Sequence, residues 1–491
     1  MLKSVRRLFV GVCMLVGTAT IAGAQGTWTE VSSPHFTVVS NAGDGRAREI
    51  AWQFEQVRAA IVAGWPWARA TLDRPVLVVA AKDESTMKSL MPQLRFEPGT
   101  TTTGVGETGP DRHYIVVRGD VRSDERVDTN PFYGAYWIYS AVVLTTGAEH
   151  DLPLWYWTGL ACVLGNVMVR PQEMRFGLPI PWLLRDVRGE ARLRLSEMFA
   201  ADSKSSYYTD DRTRQRFDAE AWAFMHYLLF EASVEQPDRV NKLTRLLLDG
   251  RPSVEAVKEI FGDVDALEVA YQKHVNKPLM QYSIAKIETK IDAKTFTART
   301  LAPADAAAVR AGVHVAFKRP VEARALLAES RKIDVSSPRA YEVEGQLLDR
   351  EGKRAEAQAA FEKAEELKSD NFYTYFRLAE LTWPQKAGSP DTERRLRRAA
   401  ALNAAHAPTQ AMLAEALVAS QHAADALEPA KRAVTLEPGN ARPRLALARV
   451  QWALNNRAAA QGLARSALAA SRTDEERQQV KQLIDFFDKA Q

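Results

Sequence analysis

The chain has 491 residues, with 65 Lys or Arg, 61 Asp or Glu and a formal net charge of +4 at pH 7. A balance this close to neutrality gives no electrostatic basis for binding nucleic acid or an anionic membrane surface. The hydrophobic share of 46% is ordinary for globular proteins and excludes a largely disordered chain.

The segment 1–24 predicts an export signal. Basic residues precede an uncharged apolar stretch, and Ala22-Gly23-Ala24 supplies the small-residue pattern that signal peptidase recognises. We therefore expect cleavage after Ala24, a periplasmic or secreted mature chain and no stable membrane anchor; an uncleaved N-terminal anchor is the alternative. One cysteine, Cys162, then remains in an apolar segment. This setting indicates a buried thiol, and a single cysteine cannot form an internal disulfide.

The sequence of residues 25–291 predicts an α+β domain, because strand patterns come early in it and helical patterns come late. The strand patterns are Trp28–Val31, Phe36–Ser40, Val76–Ala80 and Tyr114–Val117. The helical patterns are Arg46–Ala63, Phe132–Leu144, Leu154–Val169, Ala219–Glu231 and Val240–Leu248.

Two further stretches, one within this domain and one directly after it, lack a clear element pattern. Gly104–Gly109 matches the G-x-G-x-x-G of dinucleotide sites, but no strand pattern precedes it and no helical pattern follows. We interpret this stretch as a flexible hairpin loop. The weak pattern over 292–303 predicts a linker.

Small residues recur through 304–491 at the spacing of a helical repeat. The interval from Ala323 to Ala357 equals the interval from Ala426 to Ala460, and the gap between the two pairs is close to twice as long, which fits one more repeat with an insertion. Small residues at this spacing let two helices cross closely. The pattern resembles the tetratricopeptide repeat.

That resemblance implies an all-α helical solenoid that binds a protein or peptide partner in its concave face. We expect about four repeats between Ala304 and Ala470, and then a capping helix near Thr473–Lys489.

The α+β domain resembles the peptidase MA-like family of zinc metallopeptidase-like domains over about residues 27–278. The segments that carry the resemblance are Trp28–Val38, Leu152–Ala161, Ser206–Tyr208 and Ala221–Leu229. The most specific of them is Leu-Pro-Leu-Trp-Tyr-Trp-Thr-Gly-Leu-Ala at 152–161, which is similar to the family's L-P-x-W-L-x-E-G-L-A.

The zinc site implied by this resemblance is degenerate. Active members have H-E-x-x-H on one helix, with two zinc ligands and a general base, and a third ligand in the Glu of E-G-L-A. Here Tyr136 and Ser140 stand in place of the two histidines, Trp137 in place of the base and Thr158 in place of the glutamate. None of these side chains is a good zinc ligand at neutral pH. We therefore expect no metal, no cofactor and no catalysis.

Aromatic side chains surround the former zinc position: Tyr136, Trp137, Tyr139, Trp155, Tyr156 and Trp157. Aromatics of this kind anchor peptides and glycans, but they also fill space left by a lost site. We favour the filling role. A glycan or cell-wall binder that uses an aromatic cleft stays open, and it requires these side chains to be exposed.

The sequence thus favours a non-catalytic exported scaffold, in which a pseudo-metallopeptidase domain supports a tetratricopeptide-type array. The enzyme alternative is a zinc metallopeptidase with displaced ligands drawn from Glu149, His150, His113 and His226. It requires at least three of those side chains to converge on one point.

Overall fold

The computed structural model describes residues 26–94, 104–122, 129–146, 151–189, 192–288 and 290–489, so the predicted signal peptide lies outside the described residues. The strands are β1 (Thr29–Ser32), β2 (Phe36–Ser40), β3 (Val76–Ala81), β4 (Gly104–Thr108), β5 (His113–Arg118), β6 (Met168–Val169), β7 (Glu173–Phe176), β8 (Ser283–Lys286) and β9 (Thr297–Thr300). The helices of the N-terminal domain are α1 (Asp44–Gly64), α2 (Glu84–Leu90), α3 (Tyr133–Thr145), α4 (Leu154–Gly165), α5 (Pro181–Val187), α6 (Leu195–Ala200), α7 (Ser206–Thr209), α8 (Asp211–Tyr227), α9 (Asp238–Leu248), α10 (Ser253–Phe261) and α11 (Val264–Val275). The helices of the C-terminal region are α12 (Pro303–Ala316), α13 (Pro320–Ile333), α14 (Pro338–Arg350), α15 (Arg354–Glu366), α16 (Phe372–Lys386), α17 (Pro390–Leu402), α18 (Ala407–Ala419), α19 (Leu427–Leu436), α20 (Ala441–Ala453), α21 (Arg457–Ala470) and α22 (Asp474–Lys489).

A mixed six-stranded sheet organises the N-terminal domain, with the strand order β4-β5-β3-β2-β1-β9. The strands β2, β3 and β5 run parallel, whereas β4, β1 and β9 pair antiparallel with their neighbours. The sequence predicted β1, β2, β3 and β5. A small antiparallel sheet, β6-β7-β8, lies apart from the first.

Side chains of the six-stranded sheet alternate between two apolar cores. In β3, Val76, Val78 and Ala80 face a core that includes α1 and α3, while Leu77 and Val79 face a second core that includes α2 and α12. Successive residues of a strand point to opposite faces, so a strand covered on both faces is apolar throughout. This explains the uninterrupted Val-Leu-Val-Val-Ala-Ala of β3.

The G-x-G-x-x-G stretch forms strand β4 rather than the flexible loop that we expected. A Cβ atom at Gly104 would lie 2.8 Å from the backbone nitrogen of Ala135, and one at Gly106 would lie 2.8 Å from the Ile138 side chain. The glycines therefore allow α3 to pack directly on the strand. A packing requirement, not a phosphate site, accounts for the motif.

The segment 292–303, expected to be a linker, instead completes the sheet. It contains β9, which pairs antiparallel with β1 from Thr300 opposite Thr29 to Thr297 opposite Ser32. Only Leu301 and Ala302 separate β9 from α12. The polar sequence of β9 carries no strand pattern of its own, because its order comes from pairing with a strand at the opposite end of the domain sequence.

The C-terminal region contains five helix pairs, α12/α13 to α20/α21, followed by α22 near the predicted capping helix. Our expectation of about four repeats was therefore low. The second helices of the pairs share a buried small position, occupied by Ala323, Ala357, Thr392, Ala426 and Ala460. The third pair carries Thr392 where the other pairs carry alanine, and for that reason the alanine pattern did not reveal it.

Helix α12 joins the sheet to the repeats. On one side Val309 and Val313 pack in the core that includes Val79 and Val116 of the sheet, and on the other side α12 packs against α13 and α14. A terminal repeat needs a covering element for its outer apolar face. Here the sheet covers the first repeat, as α22 covers the last.

Candidate functional site

The four positions that the peptidase MA-like resemblance assigns to a lost zinc site lie on two helices that pack together in the domain core. Tyr136, Trp137 and Ser140 are on α3, and Thr158 is on α4. Ser140 is fully buried and its hydroxyl has no hydrogen-bond partner among the described residues. The Ser140 hydroxyl is therefore not exposed to a substrate in solvent.

Four of the six aromatic side chains are core residues: Tyr136, Tyr139, Trp155 and Tyr156 are each 2% exposed or less. The Tyr136 hydroxyl donates to Gln53 Oε1 at 3.2 Å, and Trp155 Nε1 donates to the hydroxyl of Ser253 at 3.0 Å. Buried and largely hydrogen-bonded rings of this kind fill a core.

Trp137 and Trp157 are half-buried, with ring centroids 6.3 Å apart. The glycan-binding alternative required an exposed aromatic cleft, and the structure contradicts it, because most of these rings lie inside the core.

The structure does not bring the two described candidate histidines together. His113 begins β5, where its Nδ1 lies 3.0 Å from the Thr108 hydroxyl and its Nε2 lies 3.4 Å from Asp73 Oδ1. His226 lies near the end of α8 with different partners. Glu149 and His150 are outside the described residues. Within the described ranges, no group of three or more His, Cys, Asp or Glu side chains could hold a metal ion.

His226 belongs to a buried chain of hydrogen bonds. Its Nε2 lies 2.9 Å from the Gly177 carbonyl oxygen and its Nδ1 lies 3.0 Å from His274 Nε2. Because a carbonyl only accepts, His226 Nε2 carries the hydrogen, and the Nδ1 of the neutral ring accepts from His274. His274 Nδ1 contacts Glu231, and the Glu231 carboxylate accepts from Lys277 Nζ at 2.8 Å. The chain connects the residue after β7, helix α8, the short helical segment Leu228–Ala232 that follows it, and α11.

We expect His226 to make the domain less stable as the pH falls from about 6.5 to 4. Burial lowers the pKa of His226 from 6.5 to about 4. The unfolded chain therefore binds more protons than the native state in this interval, so the stabilisation is complete above about pH 6.5 and is lost as the pH falls. The loss is on the order of 3 kcal/mol. Urea midpoints measured from pH 7 to pH 4 should fall less steeply for His226→Gln.

His422→Gln is the matched control for this measurement, since the His422 side chain is 56% exposed. It should leave the pH dependence unchanged. An equally steep fall in the His226→Gln variant would show that His226 does not control this transition.

The long boundary between the N-terminal domain and the repeat region was not predicted. At successive junctions between helix pairs, a polar group of the repeats meets one of the N-terminal domain: Arg339 with Glu30 at 2.8 Å, Asn371 with Asp111 at 2.8 Å, Asn403 with the Asp73 carbonyl oxygen at 2.7 Å, the Thr435 carbonyl oxygen with Arg69, and Arg472 with Asp151 at 3.2 Å. The N-terminal domain therefore lies along one edge of the array.

Glu30 anchors this boundary at β1. Burial opposes its ionisation, but Arg339 and Arg299 outweigh burial and hold the pKa of Glu30 below its ordinary value. Both arginines contact it, Arg299 Nη2 at 2.6 Å and Arg339 Nη2 at 2.8 Å. A carboxylate of one domain thus binds a guanidinium of the other.

The geometry of the helix pairs shows which fold the C-terminal part has. The pairs follow one another at a nearly constant interval, and a buried small residue recurs where the helices cross: Ala311, Gly345, Ala379, Ala414 and Ala448 in the first helices. The C-terminal part is a tetratricopeptide-like helical repeat. Gly345 shows why small residues are needed, because a Cβ there would lie 2.6 Å from the Phe361 ring.

No protein-family model and no curated protein sequence matches this chain. Solved structures of repeat proteins are similar to about a third of it. YrrB, described as a TPR protein with an unusual peptide-binding site, is 18% identical with a TM-score of 0.32, and the match covers 36% of this chain and 90% of YrrB. TTC0263, a thermophilic TPR protein of Thermus thermophilus, is 18% identical with a TM-score of 0.27, covering 37% and 98%. PilF of Pseudomonas aeruginosa is 17% identical with a TM-score of 0.30, covering 38% and 85%.

Proposed function

We propose that this protein is a non-catalytic scaffold that holds a protein or peptide partner on the last three pairs of its tetratricopeptide-like region. The observation that carries the proposal is a row of equivalent positions on the first helices of the pairs. This first-helix row consists of Gly312, Gln346, Glu380, Glu415 and Arg449, which follow one another at the repeat interval.

The N-terminal domain and the neighbouring helices cover the start of the first-helix row. A Cβ atom at Gly312 would lie 2.8 Å from the Tyr114 hydroxyl, and Gln346 is only 4% exposed. The next positions reach solvent, since the side chains of Glu380 and Arg449 are 31% and 44% exposed. Any partner must therefore use the later part of the row.

One helical turn beyond these positions, Trp383, Val418 and Trp452 are half-buried apolar residues on the same helix faces. Trp452 stacks on Phe487 of α22 at 4.3 Å, and the Arg457 guanidinium lies 3.6 Å from its ring centre. Tryptophan and arginine side chains held rigidly at a surface are typical anchors of protein interfaces. We call the surface formed by Glu380, Trp383, Glu415, Val418, Arg449 and Trp452 the distal face.

A photo-cross-linking residue at Val418 of the full-length chain, expressed in its own cells, tests the proposal. We expect one dominant adduct, identified by mass spectrometry, that is not formed from a cross-linker at Val321, which is 74% exposed on α13.

The double exchange Glu415→Arg with Arg449→Glu keeps the ion pair that these two residues form but reverses its polarity. It should reduce the adduct at least about tenfold without lowering thermal stability. An adduct that forms equally from both positions, or that survives the exchange, would contradict the distal face as the binding surface.

For the N-terminal domain, we propose a zinc-less relative of the peptidase MA-like domains that supports the array. The chemistry of Tyr136, Trp137, Ser140 and Thr158 supports this proposal, because none of them offers zinc a strong ligand. Purified mature protein should contain less than about a tenth of an equivalent of zinc after dialysis against a weak chelator. Near one equivalent would refute the assignment, and His150→Ala would then test the displaced-ligand site.

We also propose that the chain is exported to the periplasm or beyond. The basic, apolar and small-residue order of residues 1–24 supports export. Each helix in the described part of the chain is too short or too polar to cross a membrane. The intact mass of protein recovered outside the cytoplasm should correspond to a chain that starts at Gln25; a mass that retains residues 1–24 would contradict cleavage.

A further inference from the structure

A cleft of about 510 Å³ lies between the N-terminal domain and the repeat region. Residues around the starts of β2 and β3 form one wall, including Thr37 and Thr71, and the junctions before α14, α16 and α18 form the other, including Asn371 and Asn403. A volume of this size accommodates a small organic molecule. None of the motifs in the sequence pointed to it, because its residues are spread from position 30 to position 405.

Five arginines line the cleft: Arg58, Arg74, Arg112, Arg299 and Arg339. The carboxylates on the same walls are Glu30 and Asp370, so the lining carries an excess of positive charge. Such a concentration of guanidinium groups between two protein walls attracts and orients anions.

Carboxylates contact four of these five arginines. Arg299 and Arg339 share Glu30. Arg112 pairs through Nε with Asp111 at 2.7 Å, and Arg74 Nε lies 3.3 Å from Asp73. These contacts use one edge of Arg112 and leave its terminal nitrogens without a hydrogen-bond partner among the described residues.

Arg58 is the fifth arginine of the cleft. It lies on α1 and is partly buried, and it forms no ion pair or hydrogen bond with any described residue. Its Nε is buried and has no acceptor among the described residues, so this nitrogen is shielded from bulk water. A partly buried cation without a partner is costly. An anion in the cleft would remove this cost.

We propose that the cleft binds a small oxyanionic molecule, one that carries phosphate or carboxylate groups, between the N-terminal domain and the repeats. The planar guanidinium groups of Arg58 and Arg112 match the two-oxygen edge of such groups. The hydroxyls of Ser32, Thr37 and Thr71 line the same cleft and provide neutral hydrogen bonds. This inference goes beyond the scaffold function and rests on different residues.

Both domains contribute walls, so the ligand favours the docked arrangement of the two. A molecule that binds only the native, docked state stabilises it by mass action. The small ligand would thereby regulate how firmly the N-terminal domain holds the first repeats, at a distance from the distal face.

Isothermal titration calorimetry tests the proposal. The full mature chain is titrated with inorganic phosphate, pyrophosphate and citrate at constant ionic strength. We expect saturable binding of at least one probe with a stoichiometry of one, together with a rise in melting temperature. Arg58→Gln should weaken that binding at least about tenfold, and the melting temperature without probe should not fall. Arg185→Gln is the matched control, because Arg185 is 76% exposed on α5. It should bind as the wild type does.

Arg58→Lys provides a second variant if Arg58→Gln fails to fold. It keeps the charge but loses the planar pair of donors, so it should bind more weakly than the wild type. The absence of saturable binding for all three probes, or equal affinity in the Arg58 variants and the wild type, would overturn the proposal. Neither result affects the cross-linking test of the distal face.

Discussion

Val313→Asp should detach the repeat region from the N-terminal domain. Val313 is fully buried in α12, in the core that α12 forms with the sheet strands β3 and β5. A carboxylate there would have no partner in an apolar setting, and a buried charge without a partner costs about 3–5 kcal/mol. Because α12 also packs against α13 and α14, we expect the other repeats to stay folded while the contact with the sheet opens.

The measurement for this variant is small-angle scattering of the full mature chain, combined with limited proteolysis. The radius of gyration should rise, and new cleavage should appear near the segment that connects β9 to α12. Val321→Asp is the control, since Val321 is 74% exposed on α13 and the substitution should change neither observable. A variant with unchanged dimensions and protease resistance would show that α12 does not hold the two domains together.

The sequence predicted those elements whose signals are local. The four apolar strand patterns of the N-terminal domain became β1, β2, β3 and β5, and the spacing of small residues predicted a helical repeat. In both cases the residues that carry the pattern also form the packing, as at Gly345, which lies against Phe361 of the same repeat. Local pattern and tertiary packing agree in these places, and the prediction succeeded.

Elements that depend on distant partners were not predictable in this way. The sequence of β9 alone predicts a polar linker, but this segment pairs with β1. The sequence of β4 alone predicts a glycine-rich loop, but α3 packs on this segment. Thr392 replaces the alanine on which the repeat count depended. Propensity is a weak guide wherever pairing or close packing decides the conformation.

The candidate sites also differ in how far they could be predicted, because they depend on contacts between distant parts of the chain. The aromatic cluster around Tyr136 could be listed from the sequence, but whether those rings are exposed or buried depends on how α3 and α4 pack. The boundary contact between Glu30 and Arg339 joins residues 309 positions apart. Single-sequence patterns contain no information on contacts at that separation. The arginine cleft therefore became visible only in the folded chain.

Gly159→Ala should be the most damaging conservative substitution in the N-terminal domain. Gly159 lies in α4, and α8 crosses it closely. A Cβ atom at this position would lie 2.3 Å from the Ala221 carbonyl oxygen and 2.8 Å from its carbonyl carbon. Backbone atoms cannot rotate away as a side chain can, so the two helices must separate. We expect a loss of about 3 kcal/mol or more, measured as a lower urea midpoint for the N-terminal domain.

Gly462→Ala separates this steric effect from the general preference of helices for alanine. Gly462 is exposed in the middle of α21, and a Cβ atom there would meet no atom within 4 Å. Alanine should therefore stabilise α21 by about 0.5–1 kcal/mol, because it restricts the unfolded chain more than glycine does. Opposite signs for the two substitutions would place the cost at the crossing of α4 and α8. A Gly159→Ala variant as stable as the wild type would mean that the two helices do not approach as closely as the Gly159–Ala221 contact requires.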